Sequence, residues 1–389
     1  MKKKKQIVIL TDGFLNWNGG VDFITMNITA LLAVHPAEEV EITLVLPEKK
    51  FFSNKKRLLL RVPILKKLFT QQAVKRDLWL SGFNPKHFCF ARFGKKRINR
   101  LLRKLKADAA LFCWSDTPIE GCRTIGYYPD LQHRYYPQYF TKEECTKRDQ
   151  TIQRILHTRH AIFVTALEVK RDLEKFYPKT ECKLIPLPFA PVLPDIKWLN
   201  PLSEDVQAKY GISSPYFMIS NQFWVHKGHR TAFEALKKLP SHIHLVCTGK
   251  EEDFRFPTFY RELLLRIEEL GLQERVHLLG LIPKREQIEL MKGAIAIVQP
   301  TLFEGGPGGG SVQTAIALGL PAIVSDIPVN REISDDDVCF FRTNDSQDLF
   351  IKMESALNAT PQRPSHTLLL QKREANIQKL GKTLLKAVG

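Results

Sequence analysis

A glycine-rich stretch between Phe303 and Gly310, reading FEGGPGGG, constrains the fold of this chain more than any other feature. Glycine loses the most backbone entropy on ordering and has no side chain to bury, so such a stretch forms neither a packed helix nor a central strand. We therefore predict a loop. Three consecutive glycines exceed what a tight turn requires, which favours a loop that approaches a ligand over a purely structural turn.

The segments on either side of this loop predict a parallel α/β unit. Residues 294–300 and 320–325 are apolar runs typical of buried strands, and residues 312–318 have helical periodicity, with Ser311 as the predicted N-cap. This order places the loop at the carboxyl end of a parallel sheet, where α/β proteins bind ligands. Free amides and the helix dipole favour a phosphate there, so we predict that residues 308–310 contact one.

The same alternation of strands and helices runs along both halves of the chain. Between the halves, residues 186–201 contain five prolines, which is typical of a stiff linker. We predict an α/β protein with domains 1–195 and 196–366, followed by a terminal helix over 367–389. At 389 residues the chain is long enough for two domains, each with its own core.

The composition is that of a soluble globular protein, with 44% apolar and 25% charged residues. No apolar run reaches the roughly 18 residues of a membrane-spanning helix, and the run that follows the basic start is too short for a signal peptide. We expect a cytoplasmic protein. The seven cysteines have no zinc-binding spacing and are expected to be reduced thiols.

Much of the net charge of +17 is concentrated between Lys49 and Lys106, where Asp77 is the single acidic residue. Within this basic block, residues 57–69 and 97–106 intersperse leucines and isoleucines with cations, as in segments that lie on a membrane interface. Aromatic residues for stacking bases are few, so we expect no nucleic-acid partner and predict an anionic membrane surface instead. A merely solubilising basic face is the alternative.

Two further features of the first half are candidate site residues. Gly19 and Gly20 precede a helix predicted from Asp22 and offer a second set of amides. Asp130 and His133 follow a predicted strand, where a cleft is expected. From the residues alone, a structural role for His133 and a catalytic one are about equally supported.

Two clusters could suggest a metal. His226 and His229 stand at the start of a predicted helix, and three acidic residues are consecutive at 335–337. Neither cluster has partner ligands at a familiar metal-binding spacing. We predict helix-entry hydrogen bonds for the histidines, a solvated turn for the acidic triplet and no metal site.

Together these motifs resemble those of family 4 retaining glycosyltransferases, over most of the chain outside the basic block. The resemblance is carried by short motifs: Gly19 and Gly20, residues 130–133, Lys227, residues 248–250, residues 280–283, Glu304 to Pro307, residues 317–321 and residues 325–332. It implies the GT-B fold, in which two Rossmann-like domains face a central cleft and the last helix crosses back to the first domain.

The resemblance also implies an activity. A hexosyl group would pass from a GDP- or UDP-linked sugar to a lipid-linked or polysaccharide acceptor, with retention at the anomeric carbon and without a metal or other cofactor. The first domain would bind the acceptor and the second the donor. The setting would be cell-surface glycan biosynthesis, with the protein peripheral on the inner face of the membrane. An inactive GT-B scaffold protein and a nucleotide-sugar epimerase on the same fold are the alternatives.

Residue roles follow from the same resemblance. Lys227 would neutralise the diphosphate, Glu304 would accept hydrogen bonds from sugar hydroxyls, and His133 would lie near the transferred sugar; these three are the predicted catalytic residues. The predicted donor-binding residues are Gly19, Gly20, Asn221, Lys227, Gly249, Ile282, Glu304, Gly308, Gly309, Gly310 and Thr314. Thr314 stands where the family has a second glutamate, which holds the ribose. Asn221 or Gln222 stands near the place of a family arginine.

Overall fold

The computed structural model describes residues 3–16, 18–48, 88–115, 118–359 and 363–389. The predicted amphipathic segment 57–69 lies outside the described residues. The chain divides into a first unit, residues 1–195 with 374–389, and a second unit, residues 196–373. The terminal helix therefore begins in the second unit and ends in the first.

The described part of the first unit is built around a parallel sheet of seven strands. They are β1 (Lys5–Leu10), β2 (Val40–Pro47), β3 (Phe88–Ala91), β4 (Ala109–Cys113), β5 (Arg123–Tyr127), β6 (Ala161–Val164) and β7 (Lys183–Pro186). Their order in the sheet is β3-β2-β1-β4-β5-β6-β7, and all neighbours are parallel. Strands β3 and β7 were not predicted from the sequence, and each has only four residues.

The described part of the first unit contains five α-helices. They are α1 (Asn18–Val34), α2 (Lys95–Lys104), α3 (Gln132–Tyr135), α4 (Lys142–Thr158) and α5 (Leu167–Phe176). Helix α4 starts at a capping box, because the Thr141 hydroxyl accepts from the Glu144 amide at 3.1 Å and the Glu144 carboxylate accepts from the Thr141 amide at 2.9 Å. Helix α1 begins before Asp22, so Gly19 and Gly20 lie in its first turn and not in the predicted loop.

Helix α2 lacks the exposed apolar face that its sequence suggested. Ile98 and Leu102 are 3% and 2% exposed and belong to a cluster with Val8 and Val45 of the sheet. The prediction that residues 97–106 meet a membrane through their apolar side chains is therefore wrong. A helix that covers a sheet must turn its apolar stripe inward, and this leaves only the cations outside.

The described part of the second unit contains a parallel sheet of six strands in the order β10-β9-β8-β11-β12-β13. These are β8 (Tyr216–Ser220), β9 (His244–Thr248), β10 (Val276–Leu278), β11 (Ile297–Gln299), β12 (Ala322–Ser325) and β13 (Val338–Phe341). The helices are α6 (Val206–Lys209), α7 (His229–Lys238), α8 (Phe259–Glu269), α9 (Lys284–Gly293), α10 (Gly309–Ala317), α11 (Ser346–Asn358) and α12 (His366–Val388).

Each sheet has one place where the strand order reverses. It lies between β1 and β4 in the first unit and between β8 and β11 in the second. Loops that leave the carboxyl ends of two such strands diverge, and a crevice opens between them. In the second unit, the loops after β8 and β11 carry Lys227 and Glu304.

Helix α12 completes the core of the first unit. Leu380 and Leu384 belong to the same apolar cluster as Ile24 and Ile28 of α1. Lys379 Nζ also donates to the Phe189 carbonyl at 3.1 Å. In the ranges that the structure describes, no helix has both the length and the hydropathy that crossing a bilayer requires.

Candidate functional site

An ion pair joins the two loops at the reversal point of the second sheet. Lys227 Nζ lies 2.6 Å from Glu304 Oε1, across a sequence separation of 77 residues. Lys227 ends a short 3-10 helix, Val225–Lys227, between β8 and α7. The two side chains are 13% and 9% exposed. The structure thus brings together the predicted cation and the predicted carboxylate, with little water around either.

Close backbone packing fixes the position of Lys227. Gly228 has φ of +68°, and a Cβ on it would lie 1.8 Å from the Pro300 carbonyl oxygen. Only glycine fits this approach. The His226 carbonyl accepts from the Leu302 amide at 2.7 Å and from the Thr301 hydroxyl at 3.1 Å, so the two loops are held together on both sides of the lysine.

Gln299, the last residue of β11, connects the polar side chains of the site. Its Nε2 donates to Glu304 Oε1 at 2.8 Å, and its Oε1 accepts from Asn221 Nδ2 at 2.6 Å and from the Ser311 hydroxyl at 3.1 Å. Gln299 has no exposed surface. Gln299 was not among the predicted site residues, although a polar side chain that ends an apolar strand run is a signal for such a role.

The glycine stretch is partly helical. Helix α10 begins at Gly309, and its N-cap is Gly308, with φ of +67°. Gly309 also has a left-handed φ, of +59°. The prediction of Ser311 as the N-cap is wrong, because the left-handed turn that starts the helix comes earlier, at positions only glycine adopts readily. Ser311 lies in the first helical turn.

Two of the three predicted phosphate-binding amides already have partners within the chain. The Gly308 amide donates to Asn330 Oδ1 at 2.9 Å and the Gly309 amide to the Gly306 carbonyl at 3.2 Å. None of the described hydrogen bonds uses the amides of Gly310 and Ser311. Asn330, which the sequence analysis did not single out, therefore holds the loop so that the next amides in the helix stay available.

The other predicted donor-binding residues of the second unit have mixed surroundings. The side-chain amide of Asn221 is used by Gln299, and the backbone amide of Gly249 donates to the Gly280 carbonyl at 2.8 Å. The Thr314 hydroxyl donates to the Gly310 carbonyl at 2.7 Å. Ile282 is half-buried in the loop between β10 and α9. Their donor-binding roles stay predictions.

Gly19, Gly20 and His133 belong to the first unit. The His133 side chain has no exposed surface, and its Nε2 lies 2.8 Å from Asp149 Oδ1. Burial lowers the pKa of His133, and the Asp149 carboxylate opposes that shift. Asp149 also accepts from the Tyr177 hydroxyl at 2.5 Å. The ring is thus fixed between helices α3 and α4, and its catalytic role stays a prediction.

A cavity of about 170 Å³ lies at the carboxyl ends of β1 and β4 in the first unit. Its walls include Asp12, Phe93, Trp114 and Ser115. Burial raises the pKa of Asp12. Aromatic faces combined with a few polar groups are typical of small-molecule sites. The sequence does not mark these residues as a site, because they converge only when β1 and β4 become neighbours.

His229, next to the lysine loop, is buried without a polar partner. Its ring stacks on Phe223 at 4.6 Å between centroids, and among the described residues neither ring nitrogen has a hydrogen-bond partner. The predicted helix-entry hydrogen bond is therefore wrong for this side chain. Burial, with a contribution from the Lys227 charge, lowers the pKa of His229 to about 3.

We expect His229 to make the protein less stable in mild acid. Its pKa is about 6.5 in the unfolded chain and about 3 in the folded one, so between these values the unfolded state binds a proton that the native state does not. The free energy of unfolding should fall by up to about 1.4 kcal/mol per pH unit below pH 6.5. In urea unfolding from pH 7 to pH 4, His229→Phe should flatten this slope. The exposed His242→Gln should not, and equal slopes in wild type and His229→Phe would contradict the assignment.

We expect Lys227→Ala to lower the free energy of unfolding by about 3–5 kcal/mol, because it leaves the Glu304 carboxylate buried without a cation. Lys227→Ala/Glu304→Gln should recover most of that loss, since the double variant has no buried charge. Urea unfolding at pH 7 measures both. Lys250→Ala, which removes an ion pair whose partners are 58% and 66% exposed, is the control and should cost less than about 1 kcal/mol. A double variant no more stable than Lys227→Ala would refute this account.

Residues 204–367 match the sequence model of the family glycosyl transferases group 1. No curated protein matches the chain. Among solved structures, the chain is similar to sucrose-phosphate synthase from Thermosynechococcus elongatus, with TM-score 0.65, 14% identity, and coverage of 99% of this chain and 94% of that one. HepE of Anabaena in complex with UDP and glucose gives TM-score 0.63, 14% identity and 99% coverage of both chains. WaaG, a glycosyltransferase involved in lipopolysaccharide biosynthesis, gives TM-score 0.62 and 16% identity, with coverage of 98% of this chain and 99% of that one.

At these identities the structural similarity shows the fold alone. The fold is the predicted one, GT-B, and the described residues form Rossmann-like sheets of seven and six strands. The family match covers the unit that holds Lys227, Glu304 and the glycine stretch. This GT-B chain is thus similar to the glycosyl transferases group 1 over residues 204–367.

Proposed function

We propose that this protein is a retaining glycosyltransferase of family 4 that transfers a hexosyl group from a GDP- or UDP-linked sugar to a lipid-linked or polysaccharide acceptor. The observation that carries the proposal is the ion pair between Lys227 and Glu304 at 2.6 Å, beside the start of helix α10. A diphosphate needs a cation and amide donors, and a sugar needs a carboxylate acceptor. All three are present at one end of one sheet.

The diphosphate of the donor would lie against the start of α10. The amides of Gly310 and Ser311 would donate to its oxygens, helped by the helix dipole. Lys227 Nζ would supply the positive charge. Negative charge grows on the diphosphate as the glycosidic bond breaks, so fixed donors at this position favour the transition state over the ground state. The proposed reaction uses no metal ion, and the nucleotide sugar is a co-substrate.

The sugar would face Glu304. In the structure without ligand, Oε1 contacts Lys227 and Gln299, so Oε2 is the oxygen that would first accept from a sugar hydroxyl. In the proposed step, the acceptor hydroxyl attacks the anomeric carbon on the face from which the diphosphate leaves. The bond between that carbon and the phosphate oxygen breaks, and the departing phosphate takes the hydroxyl proton. Attack and departure on one face retain the anomeric configuration.

The acceptor would bind to the first unit. The cavity beside β1 and β4 offers the indole of Trp114 for stacking and the Asp12 carboxylate for hydrogen bonds. A sugar ring has both an apolar face and hydroxyl groups, so it suits such a wall. WaaG, which has the same fold, is described as a glycosyltransferase of lipopolysaccharide biosynthesis, and this supports a role in cell-surface glycan synthesis.

A thermal-shift panel of GDP-, UDP- and dTDP-sugars tests the donor proposal. The matching donor at about 100 times its Kd should stabilise the wild type by about 2.7 kcal/mol. Lys227→Ala should lose this shift, whereas Lys250→Ala, at an exposed lysine, should keep it. NMR of the transferred sugar then gives the anomeric configuration. If no nucleotide sugar shifts the wild type, the proposed function is wrong, and a free epimerised sugar nucleotide as product would favour the epimerase alternative.

We also propose that the protein docks on the anionic inner face of the membrane through charge alone. Every charged side chain between Lys95 and Lys106, the stretch that contains helix α2, is a lysine or an arginine. The exposed ones are Lys95, Lys96, Arg97, Arg100, Arg103, Lys104 and Lys106. Because the apolar face of α2 is buried in the core, the helix would lie on the headgroups without inserting.

Flotation with vesicles of phosphatidylglycerol and phosphatidylcholine tests this docking. Binding should occur at 50 mM salt and disappear at 500 mM. Arg97→Glu/Arg100→Glu should weaken binding at least about 30-fold, since each cation near the surface contributes about 1 kcal/mol. Lys382→Glu/Lys386→Glu, at exposed positions of α12, makes the same change in net charge and should bind much more nearly like the wild type. Equal losses in both variants would show a general charge effect and no docking face.

A further inference from the structure

The cation of the proposed donor site is already neutralised in the protein without ligand. Lys227 Nζ contacts Glu304 Oε1 at 2.6 Å, and both side chains are mostly buried. A diphosphate that recruits Lys227 must therefore compete with Glu304 for it. Whatever takes the lysine leaves a carboxylate with little access to water, which is costly unless other donors replace the lost cation.

Gln299 keeps Glu304 in place while this exchange occurs. Its Nε2 donates to the same oxygen, Glu304 Oε1, at 2.8 Å. Its own carbonyl is held by Asn221 and Ser311, so the amide cannot turn away. Glu304 therefore keeps one neutral hydrogen bond when the lysine is drawn to a diphosphate, and this bond opposes its movement toward water.

The second carboxylate oxygen lies close to the start of helix α10. A Cβ on Gly309 would stand 3.3 Å from Glu304 Oε2, so a side chain at that position would cover this oxygen. The backbone next to it presents the amides of Gly310 and Ser311. A diphosphate at those amides would thus place negative charge near the Glu304 carboxylate. Like charges in a dry site repel strongly.

We infer that the Lys227–Glu304 pair makes the site select the intact sugar-bearing donor over the nucleoside diphosphate that remains after transfer. This inference rests on the proposed function. The intact donor brings sugar hydroxyls that donate to Glu304 and replace the withdrawn cation. The nucleoside diphosphate brings charge and no such donor, so it leaves Glu304 uncompensated. The pair weakens product binding and so favours product release, because Lys227 returns to Glu304 as the product leaves.

Calorimetric titration of the full chain tests this selectivity with two matched pairs of probes, UDP with UDP-glucose and GDP with GDP-mannose. For the pair that binds, the wild type should hold the sugar nucleotide at least tenfold more tightly than the nucleoside diphosphate. In Glu304→Gln, which frees Lys227, the nucleoside diphosphate should bind about tenfold more tightly than it does to the wild type, and the preference should shrink to about one. Glu252→Gln, at a carboxylate that is 66% exposed, should leave both affinities unchanged.

A second measurement needs no variant. Free monosaccharide at 50 mM should tighten the binding of the matching nucleoside diphosphate to the wild type several-fold, because its hydroxyls compensate Glu304, and by linkage the nucleoside diphosphate should tighten sugar binding equally. Weaker nucleoside diphosphate binding by Glu304→Gln, or no effect of the free sugar on the wild type, would overturn the inference. If the sugar nucleotide binds and is transferred in those cases, the proposed function survives. If neither probe of either pair binds the wild type, the proposed function fails as well.

Discussion

A lysine and a glutamate that are both largely out of water depend on each other in the second unit. Neither charge is stable there alone, because removing an ion from water costs several kcal/mol that only a close partner returns. The two residues are 77 positions apart, so their meeting depends on the sheet. Strands β8 and β11 are neighbours at the point where strand order reverses, and the loops that follow them therefore open onto one crevice.

The polar residues around this pair position it through hydrogen bonds. Gln299 fixes the carboxylate, and Asn221 and Ser311 fix Gln299. Asn330 is itself fully buried. Its side-chain oxygen accepts a hydrogen bond from the Gly308 amide, and this bond orients the glycine turn. A buried polar network of this kind stabilises a protein only when its polar groups have hydrogen-bond partners. These hydrogen bonds hold Glu304 and the glycine turn in defined positions, which suits a site that stabilises developing charge.

Local sequence signals predicted most strands and helices, because continuous apolar runs and helical periodicity are properties of neighbouring residues. They failed where tertiary contacts decided the outcome. Ser311 is a good N-cap by type, yet the helix begins earlier because Gly308 and Gly309 adopt a left-handed turn. The leucine-bearing helix α2 resembled a membrane segment by its pattern. That pattern is the same whether the apolar face contacts lipid or a sheet. In the structure this face packs on the sheet of the first unit.

The candidate site divides in the same way. The sequence predicted Lys227, Glu304 and the glycine stretch, because the chemistry of each follows from its residue type: a cation, a carboxylate and a backbone without side chains. Gln299 and Asn330 were harder to identify, because a glutamine that ends an apolar run is a weak signal and an asparagine in a short 3-10 helix has no distinctive pattern. Both gain their role from partners that the fold brings to them. The sequence by itself determined the α/β class and the chemical groups of the site. The tertiary structure alone decided which groups touch, since parallel strand order, unlike periodicity, is set by contacts between residues distant in sequence.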